Sequence, residues 1–312
     1  MTKAHGRIGP SPAERLWLGA TSDTTADLSA ATQEASRLLR SAPFPAFARR
    51  VTAQVMGPDA DLTTVRRRID ADPELRSRVL AIARSPAYGA RWRDLREGFR
   101  RSGAAAVLEV VLAETAGRLM AAPDYLSYRV RDHCAGVAGI ARVLGEHHPQ
   151  VQQHLLFLAG LLHDLGSLLL LESRPDLDGE RIAALTEPHD AVHHWEGGVL
   201  GFDHATLGGL VLEGWGIPEP VPLLVGLHHH EADTWVRAGH LGLQLALMRC
   251  AEHLDLALEQ GGLSALRELP RLVRAPCFAY ASLDASRIRT LWPAILAARR
   301  SACRLFSHQE GG

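Results

Sequence analysis

Residues Leu155 to Leu171 form an apolar run long enough to pass for a membrane span, but Gly160, His163, Asp164, Gly166 and Ser167 interrupt it. An ionised aspartate at mid-bilayer is costly, whereas a buried helix can end at a polar site. The run therefore reads as a core helix that delivers His163 and Asp164 into a folded interior, and no membrane is expected. Such a helix needs a core around it. The chain has 312 residues, 46% of them hydrophobic. A chain of that size buries about 75% of its unfolded surface, in one large domain or two modest ones.

The rest of the pattern is helical. Aromatics are 5%, no Asn-Gly turn occurs, and Ala, Leu, Arg and Glu dominate, so the fold class is all-α. Residues 1–28 read as a tail. Pro43 and Pro45 set up a helix through Phe47, Val51 and Val55 that ends near Gly57-Pro58, and Leu62, Val65 and Ile69 mark another helix. Asp72-Pro73 is a helix start, with Asp as the cap and Pro in the first turn. That helix stops at Ser85 to Gly89, and a further one follows Gly103. After the break at Pro123-Asp124 the pattern predicts a long helix over 127–146 and a helix from Gln152 to Asp164 ending at Gly166. Residues 173–198 predict a short helix with loops. Asp203 caps a helix from His204, Pro220 and Pro222 open the helix that carries His228 to His230, and a helix spans His240 to Gln260.

Sixteen histidines stand against four cysteines. The sharpest group is His163-Asp164. Adjacent helical residues differ by about 100°, so both reach one ion only if it lies near the helix end. A His nitrogen with a carboxylate suits Zn, Fe, Mn or Ni, and more carboxylate shifts the preference toward Mn or Mg. Taken singly, each candidate has a second reading. His163-Asp164 can be a buried capping pair, His133 a core histidine, His204 a capping residue and Glu252 a surface carboxylate. Three consecutive histidines, His228 to His230, fan over about 200° of a helix and cannot all face one ion.

Their order is more specific. His133, then His163-Asp164 thirty residues on, then His204, the cluster His228-His229-His230 and the carboxylate Glu252 resemble the HD superfamily of helical metal phosphohydrolases. The closest resemblance is to the HDOD domain. It is carried by Pro43-Phe44-Pro45, Ile69 to Leu75, Ala83 to Gly89, Ala159 to Gly166, Asp203-His204-Ala205, Trp215 to Pro218 and Leu227-His228-His229, across about residues 38–255. The resemblance implies an N-terminal helical subdomain (29–125) packed on an HD-like helical bundle (126–260), with a C-terminal helical extension (261–312). It implies His133, His163, Asp164 and the last carboxylate, Glu252, as ligands of one divalent ion. His204, His228 and His229 would serve a second, with His230 an alternative in the cluster and Asp164 the residue that would orient a water if the site is active.

Three departures matter. The superfamily's last ligand is Asp where this chain has Glu252, and Asp255 substitutes only if the helix register shifts. Arg84 stands where the family has Asn. The Gly-Tyr-Pro segment of related cyclic-di-GMP hydrolases is replaced by Glu231-Ala232-Asp233, so that activity is not expected. The resemblance implies a bacterial signalling module acting through a protein partner. The alternative is a metal-dependent phosphohydrolase acting on a nucleotide or other phosphoester.

Composition narrows the chemistry. Lys3 is the only lysine among 34 basic residues, which excludes a Schiff-base or phosphate-loop lysine. The net charge is −1 and the runs Arg66 to Arg68, Arg91 to Arg101 and Arg299-Arg300 read as solvated faces, so nucleic acid is not expected. Dispersed cysteines and a polar start point to the cytoplasm. No arginine can be placed at the histidine site from sequence.

Overall fold

A computed structural model describes residues 28–41, 48–52, 62–88, 92–119, 125–180 and 191–307. The expectations for the tail before Leu28, for Pro43 to Phe47, for Val55 to Pro58 and for Gly89 and Pro123-Asp124 lie outside these residues. Among the described residues the structure is helical, with no strand.

The N-terminal part contains α1 (Leu28–Ser41), α2 (Leu62–Asp70), α3 (Pro73–Arg84) and α4 (Leu95–Leu119). Asp72 caps α3 as its sequence implies, accepting from the amides of Glu74 (3.1 Å) and Leu75 (3.0 Å). At the other end the Ser85 hydroxyl donates to Ile82 O and accepts from the amide of Tyr88, which turns the chain. The helix expected after Gly103 is present, joined at that residue to an earlier helical stretch that begins at Leu95. Gly103 lies inside α4 at φ 74°, a kink that glycine accepts at little cost.

The centre of the molecule is α5 (Tyr125–Gly145). It packs against α6 (Gln153–Leu162), α12 (Gly242–Gly261) and most extensively α15 (Ala285–Ser307). Every residue from Leu156 to Leu162 is buried, so α6 is core on all sides. The sequence predicted one helix ending at Gly166. Instead α6 stops at Leu162, His163 and Asp164 form a break, and α7 (Leu165–Ser173) resumes. The apolar residues continue past the break because both helices are interior. The stretch Gln153–Ser173, with mean hydropathy 1.7, has 72% of its most apolar window buried.

Beyond it come α8 (Ala191–Leu200), α9 (His204–Gly214), α10 (Val221–Gly226) and α11 (Ala232–Arg237), then α12. Asp203 caps α9, accepting from Thr206 N at 2.8 Å. Two expectations are corrected here. Helix α10 ends at Gly226, so His228 to His230 stand in a turn rather than on a helix. Helix α12 starts at Gly242 rather than His240, because Gly239 at φ 59° and a 3-10 turn precede it. Helices α13 (Ala265–Leu272) and α14 (Pro276–Tyr280) lead to α15. At the other end of the chain, α1 lies on α9, with Leu39 against Gly214.

Candidate metal centre

Five elements converge on Asp164. His133 comes from α5, His163 and Asp164 from the α6–α7 break, His204 from the first position of α9, His228 and His229 from the turn after α10, and Glu252 from α12. Asp164 Oδ1 lies 3.0 Å from His204 Nε2 and 3.8 Å from His228 Nε2, and its Oδ2 is 3.4 Å from His163 Nε2. Among the described residues, three overlapping groups have donor atoms within 4.8 Å of one another. They are His133, His163 and Asp164; His163, His228 and Glu252; and His204, His228 and His229. The turn explains how two adjacent histidines serve one site. Leu227, at φ −113° and ψ 7°, has left helical geometry, so the 100° fan no longer applies. His230 belongs to none of the groups.

The far side of each ring is anchored. His163 Nδ1 donates to Gly160 O (2.8 Å) and His228 Nδ1 to Val225 O (2.7 Å). His204 Nδ1 faces Glu196 Oε2 at 2.6 Å, and His133 Nδ1 faces Asp255 Oδ2 at 2.9 Å. Carbonyl and carboxylate oxygens only accept here, so Nδ1 carries a proton and Nε2 is the ring nitrogen that faces the centre, where it ligates an ion only in the neutral ring. This arrangement, an acceptor behind each imidazole, fixes tautomer and aim in metal sites. His228 Nε2 is buried and has no hydrogen-bond partner among the described residues. A buried acceptor in that condition costs about 1–3 kcal/mol, which a cation at the centre would offset.

Asp255, fully buried, lies behind His133 and is itself held by Arg299 Nε at 2.7 Å. It orients a histidine, whereas Glu252 faces the cluster. Gly136 makes room for it: a Cβ there would fall 1.9 Å from Asp255 Oδ1.

The charges divide the ring set. Burial opposes protonation of His133, but the hydrogen bond and charge of Asp255 outweigh it and raise the pKa to about 9. His163 is likewise raised to about 9, against burial, chiefly by the charge of Asp164. His204 lies well above 6.5 because Glu196 and Asp164 overcome its burial. Asp164 is held well below 3.8 despite burial by His163 and His204. Burial lowers His228 to about 3 and carries His229 downward, helped by the positive field of neighbouring histidines. Positive charge therefore gathers around a half-buried carboxylate, the electrostatic role a divalent ion fills in such a donor set.

Three residues were missed from the sequence. Glu196 lies in the stretch expected to hold a short helix with loops, yet it is fully buried and accepts from both His204 Nδ1 and the His204 amide (2.8 Å). His193, one turn before it, stacks on His229 with ring centroids 4.3 Å apart. Arg249 is buried, with Nη1 2.8 Å from Glu252 Oε2. Its only signal is the i, i+3 spacing to Glu252, which also describes surface pairs.

Comparison with known proteins agrees with this architecture. The family model of the HDOD domain matches residues 42–231. A solved structure of a candidate phosphohydrolase from Shewanella amazonensis superposes with a TM-score of 0.69 at 18% identity, covering 89% of this chain and 98% of that one. An HDOD domain protein with unknown function from Geobacter sulfurreducens gives 0.66 at 19%, covering 89% and 99%. A candidate signal transduction protein from Marinobacter aquaeolei gives 0.57 at 21%, covering 85% and 60%. An uncharacterized protein of Treponema pallidum is 22% identical over 182 residues, 56% of this chain, and the match spans about a third (35%) of that relative's length.

Proposed function

The chain belongs to the HDOD domain family, and on that premise we propose that it is a bacterial signalling module that acts through protein contacts and holds a divalent metal in its His/Asp centre. The observation that carries the metal part is the set of four imidazoles whose Nδ1 atoms are tied to acceptors while Nε2 is turned inward. His133, His163, Asp164 and Glu252 would hold one ion, and His204, His228 and His229 a second. Bound there, a divalent ion supplies Lewis acidity and lowers the pKa of a coordinated water. The chain's own residues keep the rings aimed. Asp164, facing three histidines, sits where it would orient that water.

Arg249 bears on whether turnover accompanies binding. Its guanidinium brings a permanent positive charge to Glu252, the residue that replaces the superfamily's Asp. That charge competes with an ion for the same carboxylate, which favours a sensing or structural centre over a hydrolytic one. Retention of the ligand order as far as the last carboxylate favours the second reading, a phosphohydrolase acting on a nucleotide or other phosphoester.

Elemental analysis of protein made in metal-supplemented medium tests the first reading. Stoichiometric metal that is lost in His163→Ala supports it, and substoichiometric metal indifferent to that change overturns it. Metal-dependent hydrolysis of bis(p-nitrophenyl) phosphate, abolished by Asp164→Ala, would decide for the phosphohydrolase.

A further inference from the structure

Away from the histidine centre, a groove of about 470 Å³ runs between α1, the end of α7 and the end of α8. Its floor is apolar: Leu170 and Phe202 are buried and Leu200 is half-buried, while Val199 at the edge is 48% exposed. Its rim carries three guanidinium groups, Arg37, Arg40 and Arg174, and one carboxylate, Glu34. The groove brings together two halves of the sequence, since α1 supplies two arginines and the segment after α7 supplies the third.

The charges do not cancel within the rim. Glu34 pairs with Arg37, and Arg174 pairs with Asp176 through two hydrogen bonds of 3.0 and 2.9 Å. Arg40 has no ion-pair partner among the described residues, so the rim keeps a positive excess over an apolar floor. A concave site of this volume, with an apolar floor and a polar, charged rim in about equal measure, has the size of a small-ligand site. The guanidinium fork of Arg40 matches phosphate and carboxylate geometry, and Arg174, whose Nε and Nη2 are on Asp176, adds its remaining Nη1 and its charge.

We propose that this groove binds a small amphipathic anion, an apolar or planar body resting on Leu170, Leu200 and Phe202 with a phosphate or carboxylate held by Arg40 and Arg174. The site stands independently of any metal in the histidine centre.

The test uses 8-anilinonaphthalene-1-sulfonate as the anionic probe and N-phenyl-1-naphthylamine as its neutral counterpart, each titrated into the full chain by fluorescence. The sulfonate probe is expected to bind saturably. The neutral one, and the sulfonate on Arg40→Gln/Arg174→Gln, are expected to bind at least about ten-fold more weakly, the loss of one charge-assisted hydrogen bond. Both arginines are solvent-accessible, so the variant is expected to melt as the parent does, and a circular-dichroism melt checks this. Displacement of the dye by adenosine monophosphate assigns the natural ligand to phosphates with a planar body, and displacement by dodecanoate assigns it to acyl carboxylates. No saturable binding, equal binding of the neutral probe, equal binding by the folded variant, or displacement by neither competitor at millimolar concentration overturns the proposal.

Discussion

Gly166→Ala separates the demands of packing from those of helix propensity. Gly166 lies in the first turn of α7, where α7 meets the start of α9. A Cβ added there would fall 2.0 Å from His204 O, 2.8 Å from the His204 carbonyl carbon and 3.0 Å from Gly208 N. Close C···O contacts settle at about 3.3–3.6 Å, so the two helices must part by roughly 1.3 Å. All three atoms are main chain, so no rotamer change relieves the clash. Alanine gains up to about 1 kcal/mol over glycine in a helix interior, less in a first turn, while overpacking costs about 1–3 kcal/mol, and a main-chain clash belongs at the upper end. The net expectation is a loss of about 2–3 kcal/mol, a fall in Tm of roughly 2 °C per kcal/mol at this length. The displaced residue is His204, so its 3.0 Å approach to Asp164 is lost as well. Metal affinity should then fall by about 10–100-fold, the size of effect seen when ligand orientation is disturbed. Gly198→Ala is the control: that glycine is helical, in α8, with nothing within 4 Å of the added carbon, and should gain about 0.4–1 kcal/mol. Calorimetric melts and competition with a chelating dye read both quantities. If Gly166→Ala melts at or above the parent while Gly198→Ala is stabilised, the close approach of α7 and α9 is refuted. If it melts lower but binds metal as the parent does, the link from packing to the centre is refuted.

Three further outcomes follow from the same geometry. Glu196→Gln keeps an acceptor for His204 but removes the charge, and should weaken metal binding at least about ten-fold in a chelator competition with the fold intact. Gly136→Ala drives Asp255 away from His133, so the His133 proton resonances should titrate well below the pH 9 region of the parent. In the metal-free protein, His133 and His163 have folded pKa values raised to about 9, so the stability they contribute is fully present below about pH 6.5 and is lost as pH rises through 9. Metal uptake must remove those protons, so the opposite trend is expected for affinity, which should climb between pH 6.5 and 9 and then level; a flat profile by isothermal titration would contradict the assignment.

Much of this was legible in the residues, for reasons that differ by element. Helix starts announced themselves through local chemistry, as at Asp72-Pro73 and Asp203, because a cap is decided within four residues. The site histidines were legible as an order along the chain. Helix ends were harder. Leucines on both sides of His163-Asp164 give no sign that the helix breaks there, because an interior helix needs no polar face to mark its limits. Pro220 and Pro222 marked the opening of α10 but not its length, and that length decides whether His228 and His229 fan apart or converge. Glu196 and Arg249 were invisible for another reason. Their roles arise from contacts with His204 and Glu252, and nothing in a Pro-, Gly- and His-rich segment or an ordinary i, i+3 pair distinguishes a buried carboxylate or guanidinium from a solvated one.

The anchors behind the imidazoles are of two kinds, and this divides the centre by how readily mutation can reach it. Gly160 O and Val225 O belong to the main chain, so a substitution there removes no acceptor from His163 or His228, although a Cβ at Gly160 would meet the Ala138 main chain at 2.8 Å. Asp255 and Glu196, which aim His133 and His204, are side chains that a single codon change removes. Sequence drift can therefore retune or silence the His133 and His204 corners, while the His163 and His228 pair keeps its orientation for as long as the backbone folds.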